Sequence, residues 1–229
     1  MPPPELLILS DSHGVCATDA AAAMARHVVG GMVEGGRNLN GDFYAFDGRD
    51  FRFHDPEADR RYRSFLDSLG VTAAAGIPCP VLCTFGGNFH YLSRQEVWDG
   101  FRIPNSPLEG RYLSQAAFEA AVRAMISGAL AFQADLVGLG LTVSFALPPR
   151  RVPVTASRWA FLEIERAVPP MFAALGVGII DLRSETLDRE GTLRSEFAHP
   201  DPADDTHGSV AFGAMVVARA IGARDVPTP

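Results

Sequence analysis

Short apolar runs alternate with longer stretches of helical periodicity along almost the whole chain. The apolar runs lie at residues 6–9, 43–46, 81–85, 141–147 and 177–182. Apolar positions three and four apart predict helices at residues 17–33, 57–69, 113–130, 156–175 and 209–221, with a kink or break at Pro169 and Pro170. This alternation is typical of parallel strands joined by helical crossovers. We therefore predict one α/β domain over residues 1–229, a three-layer α/β/α sandwich with a five-stranded, mainly parallel sheet.

Composition restricts the classes of partner. The 229 residues carry a net charge of −7 and 47% are hydrophobic, so the chain can bury a full core but offers no basic surface. Nucleic acid binding requires such a surface, and we expect none. No run approaches the roughly 18 apolar residues of a membrane span, and the N-terminal residues do not resemble a secretion signal. The three cysteines are odd in number and lack a paired spacing, so the sequence predicts a cytoplasmic protein with reduced thiols.

Polar side chains lie next to three of these elements, at positions where the binding sites of parallel sheets usually form. Ser12 directly follows the first apolar run, and Asn88 follows Gly86 and Gly87 at the end of the third. A third group, Asp204 and His207, precedes the last helix. The carboxyl ends of parallel strands meet at one edge of a sheet, so these side chains are expected to lie together. A serine is reactive only with a base in hydrogen-bond reach, and an Asp and a His three residues apart suit that role.

Four motifs, in this chain order, resemble those of the SGNH hydrolase superfamily, the GDSL-type esterases. Ser10-Asp11-Ser12-His13 stands where the family has Gly-Asp-Ser-Leu, and Gly86-Gly87-Asn88-Phe89 stands where it has Gly-x-Asn-Asp. Leu147-Pro148-Pro149 is similar to a proline-rich strand end of the family. Asp204-x-x-His207 matches its Asp-x-x-His. The resemblance covers residues 5 to about 222 and implies the SGNH, flavodoxin-like fold.

The resemblance also implies a role for each site residue. Ser12 would be the nucleophile, His207 the general base, and Asp204 the carboxylate that orients the imidazole. The Ser12 N–H, Asn88 and a glycine, for which we choose Gly41, would form the oxyanion hole. The implied activity is hydrolysis of a short-chain acyl ester, such as an O-acetyl group on a carbohydrate, through an acyl-serine intermediate. It implies a small-molecule ester as substrate, with no cofactor and no metal; the oligomeric state stays open.

Other interpretations of the same residues remain open. With an alcohol as acceptor in place of water, the site would be an acyltransferase. Asp11-x-His13 is also similar to the first motif of the metallophosphoesterases, which would make a two-metal centre of Asp11, His13, Asp42, Asn88, His90 and His207. An SGNH-like domain that only binds an acylated sugar or a protein is a third class. Ser12 could serve simply as a helix cap, and Asn88 as a turn residue.

Overall fold

The fold is organised around a parallel sheet. A computed structural model describes residues 3–103, 106 and 109–222. Its strands are β1 (Leu6–Ser10), β2 (Val28–Met32), β3 (Tyr44–Phe46), β4 (Phe51–Phe53), β5 (Val81–Cys83), β6 (Phe101–Arg102), β7 (Arg111–Tyr112), β8 (Val143–Ala146) and β9 (Gly178–Ile180). The main sheet has the order β2-β1-β5-β8-β9 with every pairing parallel. The pairs β3-β4 and β6-β7 form separate two-stranded sheets.

Helices cover both faces of the main sheet. They are α1 (Val15–Ala23), α2 (Pro56–Leu69), α3 (Phe89–Leu92), α4 (Gln95–Trp98), α5 (Gln115–Met125), α6 (Ser127–Gly138), α7 (Arg158–Ala173), α8 (Arg183–Thr186) and α9 (Val210–Gly222). Successive residues of β1 point to opposite faces. Leu6 and Ile8 join the core under α1 and α9, whereas Leu7 and Leu9 join the larger core under α2, α5, α6 and α7. The three-layer α/β/α arrangement with five parallel strands is thus confirmed.

The second strand of the sheet lies elsewhere than the sequence predicts. The run near residues 43–46 forms β3, which pairs with β4 in a hairpin outside the main sheet. Its predicted place is taken by β2, which lies within the predicted helix 17–33. That helix ends at Ala23, because Ala25 adopts a left-handed conformation with φ of 53° and turns the chain toward β2. The predicted helix was therefore too long.

Two of the predicted helices differ in detail. The prediction for residues 113–130 corresponds to α5 and α6, whose axes are bent by 72° at Ile126. The predicted break at Pro169 and Pro170 is wrong, because α7 continues through both prolines. Within the described residues, no single helix is long and apolar enough to cross a bilayer; α5 and α6 reach that length and composition only as a bent pair.

All five strands of the sheet run in the same direction, so their carboxyl ends share one edge. The segments that follow β1, β5 and β8 at this edge are residues 11–14, 84–88 and 147–157. Residues 86–113 contain α3, α4 and the β6-β7 pair, and residues 104, 105, 107 and 108 of that segment lie outside the described part. The candidate site is built on this edge.

Candidate active site

Ser12 is positioned by a hydrogen-bonded link between the ends of β1 and β5. Asp11, which is fully buried, accepts hydrogen bonds at Oδ1 from Thr84 Oγ1 at 2.8 Å and from the His13 N–H at 3.0 Å. The Asp11 N–H in turn donates to Thr84 Oγ1 at 3.0 Å. These contacts start a short helical turn at Ser12 that leads into α1. Ser12 is therefore held on a fixed turn at the edge of the sheet, with its side chain half-buried.

Asp204 and His207 form the charge-assisted pair that the sequence predicts. His207 Nδ1 lies 2.7 Å from Asp204 Oδ2. Asp204 Oδ1 accepts from the backbone N–H of His207 at 2.9 Å and of Thr206 at 3.0 Å. Burial acts to raise the pKa of Asp204, but these hydrogen bonds outweigh it and hold the pKa well below its usual range. A carboxylate that is ionised at neutral pH fixes the proton of His207 on Nδ1 and leaves Nε2 as an acceptor.

Two further residues, Arg151 and His199, contact the loop that carries this pair. Arg151 donates from Nη1 to the His207 carbonyl oxygen at 3.0 Å and lies 4.0 Å from Asp204 Oδ1. The His199 N–H donates to the same carbonyl at 3.1 Å, and the His199 ring is 3.7 Å from Asp204 Oδ2. Arg151 was not predicted from the sequence to be a site residue. Its position after β8, at the catalytic edge of the sheet, was the available signal.

Ser12 and His207, the predicted nucleophile and base, lie at the same edge of the sheet but are not hydrogen-bonded to each other within the described residues. The ring of His13, the residue after Ser12, lies 5.1 Å from the ring of His207, centroid to centroid. His207 Nε2 is buried and has no hydrogen-bond partner within the described residues. No hydrogen bond joins it to Ser12 Oγ in that part of the chain. Such bonds are often long in a site without substrate and tighten when substrate binds, so Nε2 is available to accept the serine proton.

Asn88 is buried, and both ends of its carboxamide are unpartnered within the described residues. Gly36 packs between the side chains of Asp11 and Asn88. A Cβ on Gly36 would lie 2.6 Å from Asp11 Oδ2 and 3.0 Å from the Cβ of Asn88, so this close approach requires a glycine. An unpartnered buried amide at this edge is a ready hydrogen-bond donor for a developing negative charge.

Gly41, the glycine predicted from the sequence to belong to the oxyanion hole, instead contacts the start of α6. Its carbonyl oxygen abuts Gly128 at the start of α6, where a Cβ on Gly128 would come within 1.7 Å of it. Gly36 rather than Gly41 is the glycine that contacts Asn88. Gly36 was not predicted, because it stands in a glycine pair after β2 and the residues of β2 were predicted to belong to a helix.

His13 and His90 form a second imidazole pair beside His207. His13 Nε2 lies 3.3 Å from His90 Nδ1, and the two ring centroids are 5.2 Å apart. Burial, reinforced by the neighbouring charge of His207, lowers the pKa of His13 to about 3. Burial, reinforced by the repulsion that a proton on the His13 ring would exert, lowers the pKa of His90 to about 4. Both rings are therefore neutral at neutral pH.

The residues of the two-metal interpretation are only partly brought together. His13, His90 and His207 are neighbours, but Asp42 pairs instead with exposed His54 at 3.3 Å. Among the described residues, no group of three or more His, Cys, Asp or Glu side chains has the arrangement of a metal site. The geometry at the edge of the sheet thus supports the serine interpretation more directly.

Comparison with known proteins yields similarity at the level of structure. No protein-family model matches the sequence, and no curated protein matches it significantly. The structure is similar to that of a lipase/acylhydrolase from Enterococcus faecalis, with 16% identity, 98% of both chains covered and a TM-score of 0.47. It is also similar to a GDSL-like lipase from Bacteroides thetaiotaomicron, with 13% identity, 96% of this chain and 88% of that chain covered, and a TM-score of 0.44.

Proposed function

We propose that this protein is a serine ester hydrolase of the SGNH type. Its substrate is an alcohol esterified with a short acyl group, such as an O-acetylated carbohydrate. The observation that carries the proposal is the Asp204–His207 pair. Its 2.7 Å contact orients the imidazole of His207, whose ring lies 5.1 Å from that of His13 in the turn that bears Ser12 and whose Nε2 has no partner within the described residues. An oriented, neutral imidazole next to a serine at a strand end is the arrangement that acyl transfer needs.

The reaction follows from the roles of these groups. Ser12 Oγ attacks the ester carbonyl carbon while His207 Nε2 accepts the hydroxyl proton. The oxyanion that forms accepts hydrogen bonds from the Asn88 amide and the Ser12 N–H. When the intermediate collapses, His207 returns the proton to the leaving alcohol oxygen and an acyl-serine remains. Water, deprotonated by His207, then attacks the acyl carbon, and Ser12 leaves with the proton that His207 carries.

Kinetics on p-nitrophenyl acetate test the proposal. We expect Ser12→Ala and His207→Ala to lose at least about 10³-fold in kcat, and a chelator to leave the wild-type rate unchanged. Ser209→Ala, which removes a hydroxyl bonded to the Glu196 carbonyl at 2.7 Å, is the matched control and should retain activity. Full activity in Ser12→Ala together with loss of activity on chelation would contradict the serine mechanism and favour a metal centre.

A further inference from the structure

The His13–His90 pair has no task in the mechanism above, although it lies directly beside the base. His13 is 7% exposed, and its Nδ1 is buried without a hydrogen-bond partner in the described part of the chain. Its Nε2 makes the 3.3 Å contact with His90 Nδ1. His90 is only partly buried, and its remaining nitrogen, Nε2, makes no hydrogen bond to another described residue. The pair therefore leads from the ring of His207 to a partly exposed imidazole with one nitrogen left to bind a ligand.

The contact between the two rings sets their tautomers. Because both imidazoles are neutral, a single proton lies between His13 Nε2 and His90 Nδ1. If His90 donated it, the proton of His13 would lie on the buried Nδ1, as an N–H without an acceptor. Buried N–H groups without acceptors are rarer than buried acceptors without donors. The proton of His13 therefore lies on Nε2, and that of His90 lies on its own Nε2.

The position of the pair indicates which part of a substrate it meets. His207 must deliver its proton to the leaving oxygen, so the alcohol portion of the ester lies next to the His207 ring. The His13 ring is 5.1 Å from that ring, and the His90 ring is 5.2 Å from the His13 ring. His90 is thus two ring contacts away from the residue beside which the alcohol portion lies.

We propose that His90 is a specificity-determining residue that donates a hydrogen bond from Nε2 to an acceptor oxygen on the alcohol portion of the substrate. His13 is the positioning residue that fixes the tautomer of His90. The substrates of this class are short acyl esters of oxygenated alcohols, such as sugars and polyols. The inference rests on the proposed ester hydrolase function and adds the recognition of the alcohol to it.

A matched pair of acetates isolates this contact. 2-Methoxyethyl acetate and butyl acetate have the same length and differ by an ether oxygen in place of a methylene group. We expect the ratio of their kcat/KM values, ether over alkyl, to fall about tenfold from the wild type to His90→Leu, as loss of one neutral hydrogen bond predicts. His90→Gln keeps a side-chain N–H and should retain most of the ratio. His54→Gln, at an exposed histidine away from the site, is the control.

The positioning role of His13 has its own variants. His13→Leu cannot donate to His90 Nδ1 and should lower the ether-to-alkyl ratio, whereas His13→Gln can donate and should restore it. A ratio that is unchanged in His90→Leu, or that falls equally in His90→Leu and His90→Gln, would overturn the inference while leaving the hydrolase intact. A wild type that cleaves neither acetate nor p-nitrophenyl acetate would overturn the proposed function, and the inference with it.

Discussion

At the scale of the residue, Asp204 accepts more hydrogen bonds than the single one that orients the imidazole of His207. It binds His207 through both side chain and backbone, and it also accepts from Thr206. Replacing it with a neutral amide would remove the charge that stabilises the imidazolium and would allow the wrong tautomer. We expect Asp204→Asn to lower kcat on p-nitrophenyl acetate by about 10³- to 10⁴-fold. Asp205→Asn, at the exposed acidic neighbour, should stay close to the wild type, and equal losses in both variants would contradict the assignment.

Gly36 is the residue on which the position of Asn88 depends. A methyl group there would overlap Asp11 Oδ2 and press on the Asn88 side chain. We expect Gly36→Ala to lower kcat about 100-fold, which is the usual effect of losing one oxyanion donor. The control is Gly35→Ala, because a Cβ on Gly35 meets nothing within 4 Å. Normal activity in Gly36→Ala would show that Asn88 is not held by this contact.

Asp11 gives the protein a pH dependence of unusual sign. Burial raises its pKa from 3.8 to about 6, against the opposing hydrogen bonds of Thr84 and His13. The folded protein therefore binds more protons here than the unfolded chain does between about pH 4 and pH 6, and stability falls as the pH rises through that window. The effect amounts to about 3 kcal/mol for this single group.

Substitution by Asn removes this titration while it keeps an acceptor for Thr84. We expect the free energy of unfolding of the wild type to fall relative to that of Asp11→Asn as the pH rises from 4 to 7. Urea unfolding at several pH values measures the difference. Asp19→Asn, at an exposed acid on α1, is the control. A difference between wild type and Asp11→Asn that is constant with pH would contradict the assignment.

The site residues differ in how visible they are in the sequence. Ser12, Asn88, Asp204 and His207 stand in short motifs at the ends of predicted elements, so their meeting at one edge follows from the parallel topology. Thr84, Gly36 and Arg151 act through contacts with residues 25 to 73 positions away. No local pattern marks such contacts, because they depend on how the loops pack against each other.

At the scale of the element, α1 and α9 pack together on one face of the sheet with almost no space between them. Gly213 of α9 faces the carbonyl oxygen of Cys16, and a Cβ at this position would lie 2.0 Å from that oxygen. We expect Gly213→Ala to destabilise the protein by about 3 kcal/mol, because two helix backbones would have to separate. Urea unfolding gives the value.

A second glycine in α9 provides the matched control. Gly222 ends the helix, and a Cβ there meets no atom of the described residues within 4 Å. Gly222→Ala should leave stability unchanged or raise it by up to about 1 kcal/mol. Equal effects of the two substitutions would show that the close approach of α1 and α9 does not limit stability.

The strand β2 shows where prediction from sequence fails at this scale. Its residues include Gly30 and Gly31, which weaken the strand pattern, and the preceding alanines extend the helical one. Gly30 has φ of 102°, and a Cβ there would lie 2.1 Å from the Ile8 carbonyl oxygen. The glycine is thus required by pairing with β1. The end of α1 is also unmarked, because Ala25 rather than a glycine adopts the left-handed turn.

At the scale of the whole molecule, the sheet separates two cores and leaves its carboxyl edge to the polar groups. Leu6 to Leu9 alternate between those cores, so β1 is anchored on both faces up to Leu9, two residues before Asp11. Four residues, Asp11, His13, Asn88 and His207, have buried polar atoms without a partner among the described residues, and they collect where that anchoring ends. Unsatisfied buried groups cost stability, and their concentration at one edge is typical of a site that is completed by substrate.

Covalent labelling tests the central claim, that Ser12 is a nucleophile activated by the Asp204–His207 pair. A fluorophosphonate reacts with activated serines and leaves a stable adduct that peptide mass spectrometry locates. The account predicts one adduct on Ser12 in the wild type, none in Ser12→Ala, and labelling at least about 10³-fold slower in His207→Ala. An esterase that is active on p-nitrophenyl acetate but remains unlabelled at Ser12, or that is labelled at the same rate without His207, would contradict it.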